Sequence, residues 1–151
     1  YYSQHGLQAY ESVAVPKLPN RWMLVGPYSW AGTGWHALVE VNARHAVRAI
    51  TETRRRNARS AEVRQHAHDA YHARVRRRGR NLKHYFTVQN RGVRSYYVNS
   101  HGDSPYIRPS SVLEARWHSS HFRLDDYIYQ PAPRLLPAPR VDRISVEAQH
   151  A

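Results

Sequence analysis

Cysteine is absent from the 151 residues. That excludes a disulfide scaffold, a Cys-ligated zinc or iron–sulfur site and a cysteine nucleophile. Lysine is nearly absent, occurring only as Lys17 and Lys83. Long hydrophobic runs are missing as well. Residues 22–39 form the longest stretch without Asp, Glu, Lys or Arg. Its length approaches that of a membrane span, but Gly26, Pro27, Ser29, Gly32, Thr33, Gly34 and His36 interrupt it. It reads instead as a short buried strand or extended segment at Trp22-Met23-Leu24-Val25, then an aromatic loop over residues 27–34. Catalytic signatures are also lacking. Gly32-Thr33-Gly34 has neither the phosphate-loop nor the dinucleotide-fingerprint continuation. No G-x-S-x-G elbow and no H-E-x-x-H occur. The expectation is a non-enzymatic protein without a cofactor.

Acidic residues are scarce too, with 11 Asp+Glu against 23 Lys+Arg, a formal charge of +12. The excess is local. Residues 44–83 hold twelve Arg and Lys83 against only Glu52, Glu62 and Asp69, a net of +10. An anionic partner follows, and arginine's planar fork suits phosphate and base stacking. No Gly or Pro occurs over residues 35–78, so a long basic helix is expected there. It is either continuous or broken near Thr51 to Asn57, where weaker helix formers gather. Leu38, Val39, Ala43, Ala46, Val47 and Ile50 give its first half an apolar stripe. The second half has mostly small apolar residues and Arg on several sides.

The fold class expected is α+β, with this basic helix beside a small core containing a β-hairpin over residues 84–98. Tyr85-Phe86-Thr87-Val88-Gln89 and Val93-Arg94-Ser95-Tyr96-Tyr97-Val98 are the strands of that hairpin, and Asn90-Arg91-Gly92 is its turn. Ser111-Val112-Leu113-Glu114 is a capping box that starts a short helix reaching about His118. Residues 122–130 read as extended. Residues 1–21 read as an extended N-terminal arm, residues 22–130 as a small α+β domain and residues 131–151 as a Pro-rich C-terminal extension.

Two histidine groups are candidate metal sites. His66, His68 and His72 form H-x-H-x-x-x-H beside Asp69, but their neighbours are Arg-rich, which opposes a cation. His118 and His121 lack a nearby acid in sequence. Asp125-Asp126 is weak evidence for Mg²⁺. No metal is expected.

A concentrated basic helix, a small core, Pro-rich ends and no catalytic motif together resemble a ribosomal protein. The chain begins Tyr1-Tyr2-Ser3 rather than with Met, as expected of a processed or trimmed product, for which transit-peptide removal is one route. With the Arg- and His-rich composition, this start resembles a mature mitochondrial ribosomal protein of the matrix. The resemblance rests on composition and layout and matches no named family. It implies a structural role, with rRNA and neighbouring ribosomal proteins as partners in a large hetero-assembly and no small-molecule substrate. The RNA-binding residues expected are Arg54, Arg55, Arg56, Arg59, Arg64, Arg74, Arg76, Arg77, Arg78, Arg80 and Lys83, joined by Arg91 and Arg94 of the hairpin. The alternative expectation is an accessory structural subunit of a mitochondrial inner-membrane complex, such as a respiratory complex or ATP synthase, with the Arg helix on acidic protein or anionic lipid.

Overall fold

A computed structural model describes residues 2–30, 35–93, 97–100 and 104–132. The fold is α+β. Its elements are α1 (Tyr2–His5), α2 (Trp35–Arg55), β1 (Ala58–Val63), α3 (Gln65–Arg78), α4 (Arg80–His84), α5 (Val112–His121) and β2 (Tyr127–Pro131). A wide helical turn over Tyr85–Gln89 follows α4, and a short 3₁₀ turn over Leu124–Asp126 leads into β2.

The expected basic helix is broken where the weak formers lie. Asn57 sits at φ 49°, the left-handed conformation that Asn tolerates and that closes a helix. Between the two long helices, Ala58–Val63 becomes a strand instead of helix. It pairs antiparallel with β2, from Ala58 opposite Pro131 to Val63 opposite Tyr127, with an irregularity between Ala58 and Ser60. Ser60, Ala61 and Val63 are buried in this position. That packing outweighs the helical preference of Ala and Arg, since propensity is a weak prior.

The hairpin expected over residues 84–98 is not formed in its described part. Helix runs on past Gly79 through His84, then widens through Gln89. Tyr85 and Val88 of the expected first strand are exposed. Strand propensity is a preference for a half-buried pleated surface, and among the described residues no strand pairs with this segment. Only the turn at its end survives, with Gly92 at φ 95°. Arg94, Ser95 and Tyr96 lie outside the described residues, as do positions 133–151 of the Pro-rich extension and positions 31–34 of the aromatic loop.

The apolar stripe on α2 is displaced from its expected phase. Leu38, Val41, Asn42, His45, Ala46, Ala49, Glu52 and Thr53 are buried, while Val47 is 62% exposed. Polar residues occupy this inward face because each has a partner. Asn42 donates to the Leu24 carbonyl at 2.9 Å and to Ser29 Oγ at 3.0 Å. Thr53 Oγ1 donates to the Ala49 carbonyl at 2.8 Å. His45 Nε2 shares a 2.7 Å hydrogen bond with the Tyr127 hydroxyl, and its ring stacks on Phe122 at 3.8 Å.

The main core gathers Tyr10, Tyr28, Ala49, Ala61, Val63, Tyr71, Val75, Phe122 and Tyr127. Tyrosine replaces the missing large aliphatics, and burial is tolerable because the hydroxyls find partners. Tyr10 donates to Asp126 Oδ2 at 2.6 Å. A smaller cluster, Leu38, Val41 and Ala115, joins α2 to α5. The capping box of α5 forms as expected: Glu114 N–H donates to Ser111 Oγ at 3.1 Å.

Residues 9–14, within the expected N-terminal arm, belong to the core. Ala9, Tyr10, Val13 and Ala14 are buried, around a tight turn with Glu11 and Ser12 both at positive φ. Gly26 packs on this turn so closely that a Cβ would lie 2.2 Å from the Ser12 carbonyl oxygen. Of the two forms expected at residues 22–25, the buried strand is not taken. Leu24 and Val25 are exposed, and Met23 N–H donates to the Val13 carbonyl at 2.9 Å. No helix among the described residues is long and apolar enough to cross a membrane.

Candidate functional site: a basic cleft beside a buried ion cluster

The sequence marked one continuous basic surface, and the fold divides it in two. The first part is neutralised from within. Arg55 and Arg56 both bind Glu52, at 2.7 Å and 2.6 Å. Their guanidinium groups hold the Glu52 carboxyl down at about 2. Arg56 also reaches Asp125 at 3.2 Å and lies over the Tyr129 ring. Arg59 donates to Gln130 Oε1 at 3.1 Å, and Arg64 to the Asp125 carbonyl at 2.8 Å. Arg74 pairs with Glu11 at 2.9 Å, and Arg78 makes a two-pronged contact with Glu114. Apart from Arg55, whose bond to Glu52 stays within α2, these side chains tie separate parts of the chain together.

The second part borders a cleft. Arg76, Arg77, Arg80 and Lys83 line one cleft of about 330 Å³. Among the described residues, Arg76, Arg77 and Arg80 have no acidic partner. The placement follows from the chain. Arg76 and Arg77 end α3, Gly79 lets the helix resume, and Arg80 and Lys83 come on the next turns of α4. Val75, Leu82, Ile107 and Pro109 supply apolar walls. Arg54 is exposed at the end of α2 without an acidic partner among the described residues, and Arg91 is exposed beyond the cleft.

The cleft has one polar pair at its inner side. The Tyr28 hydroxyl and His72 Nδ1 share a 3.0 Å hydrogen bond. Tyr28 is buried at φ 62°. For a bulky residue this is an unfavourable backbone state that surrounding contacts must hold. They are visible: Tyr28 N–H donates to the Pro105 carbonyl at 2.6 Å, Trp30 N–H to Tyr106 at 3.1 Å, and Arg108 N–H to Trp30 at 2.7 Å. This ladder clamps residues 105–108 along residues 28–30 and builds the far wall.

Behind that wall lies a buried ion cluster that sequence reading missed. Glu11 accepts from Arg108 at 2.8 Å and from Arg74 at 2.9 Å, and His118 Nδ1 stands 3.5 Å away. Arg108 also donates to Ser12 Oγ and Ser110 Oγ, each at 3.0 Å. The one available signal was a lone charge, Glu11 or Arg108, within a segment otherwise able to form core.

The histidines divide. His66 is exposed. His68 is buried and shares a 3.0 Å hydrogen bond with Asp69, whose carboxyl that contact holds below its usual range. His72 faces Tyr28. Among the described residues no group of three His, Asp or Glu converges as a metal site.

Proteins named as uncharacterized monooxygenases in Mycobacterium bovis and in two strains of Mycobacterium tuberculosis are each 30% identical to this chain over 125 residues. The match covers 82% of this chain and 24% of each relative, so the chain spans about a quarter of the length of the curated relatives it matches. No protein-family model and no solved structure matches.

These relatives correct the functional expectation. They carry an enzyme's name, against a non-enzymatic, RNA-binding ribosomal constituent and equally against an accessory subunit of a membrane complex. The physical reason for the error is visible in the fold. Net charge was counted as available to a partner, whereas much of it is spent on Glu11, Glu52, Glu114 and Asp125.

Proposed function

We propose that this chain is a portion of a monooxygenase and that the basic cleft is where it meets a small-molecule ligand. The observation that carries the first half is the 30% identity over 82% of the chain to proteins named as monooxygenases. The second half rests on the cleft itself, whose volume of about 330 Å³ falls within the roughly 300–1,000 Å³ of small-molecule sites.

Monooxygenation inserts one atom of O₂ into the substrate and reduces the other to water, using two electrons and two protons. The oxygen-activating group and the reductant supply the electrons. Among the described residues no group of three His, Asp or Glu converges as a metal site. The chain's own residues offer three things. Arg76, Arg77 and Arg80 attract and orient an anionic group. The apolar walls exclude water from the bound molecule. The Tyr28–His72 pair can hold or pass a proton, since either atom can donate or accept.

The test is isotopic. The purified protein is given ¹⁸O₂, a reduced nicotinamide or reduced flavin and a panel of small organic substrates. In parallel, this chain replaces the matching stretch of a mycobacterial relative. Reductant-dependent oxygen uptake with a single ¹⁸O in the product is expected from one or both. A folded replacement that stays silent where its parent is active overturns the reading.

A further inference from the structure

We infer that the cleft between α3, α4 and residues 104–109 selects an amphipathic organic acid: a small molecule with an anionic head and an apolar body. As a statement of substrate class this rests on the oxygenation reading. As a binding site it stands on the cleft alone.

Three observations carry it. The first is charge. Most Arg side chains of the basic segment that touch acids are turned onto buried or interfacial carboxylates, but Arg76, Arg77 and Arg80 meet no acid among the described residues. They lie within five residues at the end of α3 and the start of α4, and all three line one opening. Like charges that crowd in this way repel one another, and an anion between them removes that cost. A carboxylate or phosphate can also be gripped by two parallel N–H donors of one guanidinium.

The second is polarity. Much of the remaining lining is apolar: Val75 and Leu82 from the helices, Ile107 and Pro109 from the segment beside them. A bare inorganic anion would leave that surface against water. A ligand with a hydrocarbon or ring body covers it, at a gain of roughly 25 cal/mol per Å² buried. The third is rigidity. The wall is pinned by the ladder between residues 28–30 and 105–108, and by Tyr28 held at positive φ. A preformed cleft loses little conformational freedom on binding.

Volume limits the ligand. The cleft of about 330 Å³ is at the small end of the range for ligand pockets. It suits a medium-chain or single-ring acid better than a dinucleotide.

The experiment is isothermal titration of the full chain with octanoate, octyl phosphate, octanol and inorganic phosphate. Octanoate or octyl phosphate is expected to bind at least tenfold more tightly than both octanol, which lacks the charge, and inorganic phosphate, which lacks the body. Which of the two octyl anions binds better assigns the head group. The combined R76Q/R77Q/R80Q variant is expected to lose at least tenfold in affinity for the preferred anion. Lysine at the same three positions is expected to restore part of it, and R54Q to leave it unchanged. Circular dichroism of each variant reports whether the fold is kept. Equal affinity for octanol and octanoate overturns the inference. So does equal affinity for inorganic phosphate, or a folded glutamine variant that binds like the parent. Because binding is read without turnover, anion selectivity without ¹⁸O incorporation would remove only the oxygenation reading, and the converse only this one.

Discussion

His45 shows how one residue can make stability depend on pH. It is fully buried, with Nε2 bonded to the Tyr127 hydroxyl and Nδ1 without a hydrogen-bond partner among the described residues. Burial, reinforced by Arg48 and Arg108, lowers its pKa from 6.5 to about 3. The folded state therefore resists a proton that the unfolded chain accepts. The stabilisation from a neutral His45 is complete above pH 6.5 and declines as pH falls from there toward 3. Urea unfolding followed across that range should show falling stability, with His45 contributing up to about 1 kcal/mol per pH unit. His45→Gln keeps a hydrogen-bonding group near Tyr127 but cannot titrate there, and it should flatten this limb. An unchanged slope would place the acid sensitivity elsewhere, for example in Glu52, whose own loss belongs to a lower window between 4.5 and about 2.

At the scale of elements, α2 decides which face of the basic segment is structural. Leu38 is completely buried against α5, while Val47 on the outer side is largely exposed. Leu38→Ala should cost about 2–5 kcal/mol in chemical denaturation, the range for truncating a buried large aliphatic side chain. Val47→Ala should stay within about 0.5 kcal/mol. Equal costs would mean that the α2–α5 packing is not as described. The helix α5 was legible from Ser111 and Glu114 because a capping box is a local bond within four residues. The strand β1 was not. Its partner β2 begins at Tyr127, and no local pattern announces a pairing over that separation.

For the whole molecule, Glu11 is the point where distant parts meet. It joins the N-terminal turn to α3 through Arg74, to the far cleft wall through Arg108 and to α5 through His118. Glu11→Gln leaves the buried Arg108 guanidinium without a counter-charge. Such a loss should cost about 3–5 kcal/mol, seen as a lower denaturation midpoint. A loss below about 1 kcal/mol, the worth of an exposed pair, would show that water reaches the cluster. Since Arg108 also anchors the wall beside the cleft, the same variant should weaken anion binding in whatever fraction stays folded.

What the sequence alone determined is what needs no partner: the absence of cysteine chemistry, a +10 segment at residues 44–83 and the cap at Ser111. Each is a property of composition or of bonds within a few residues. Tertiary structure decided the rest. It chose which arginines answer to Glu11, Glu52, Asp125 and Glu114 and which remain to face a cleft. It also turned Asn42, His45 and Thr53 inward, where each makes at least one hydrogen bond. The physical reason is the same in each case. Charge is counted along a chain, but its energy depends on which opposite charge, and how much water, lies within a few ångströms in space.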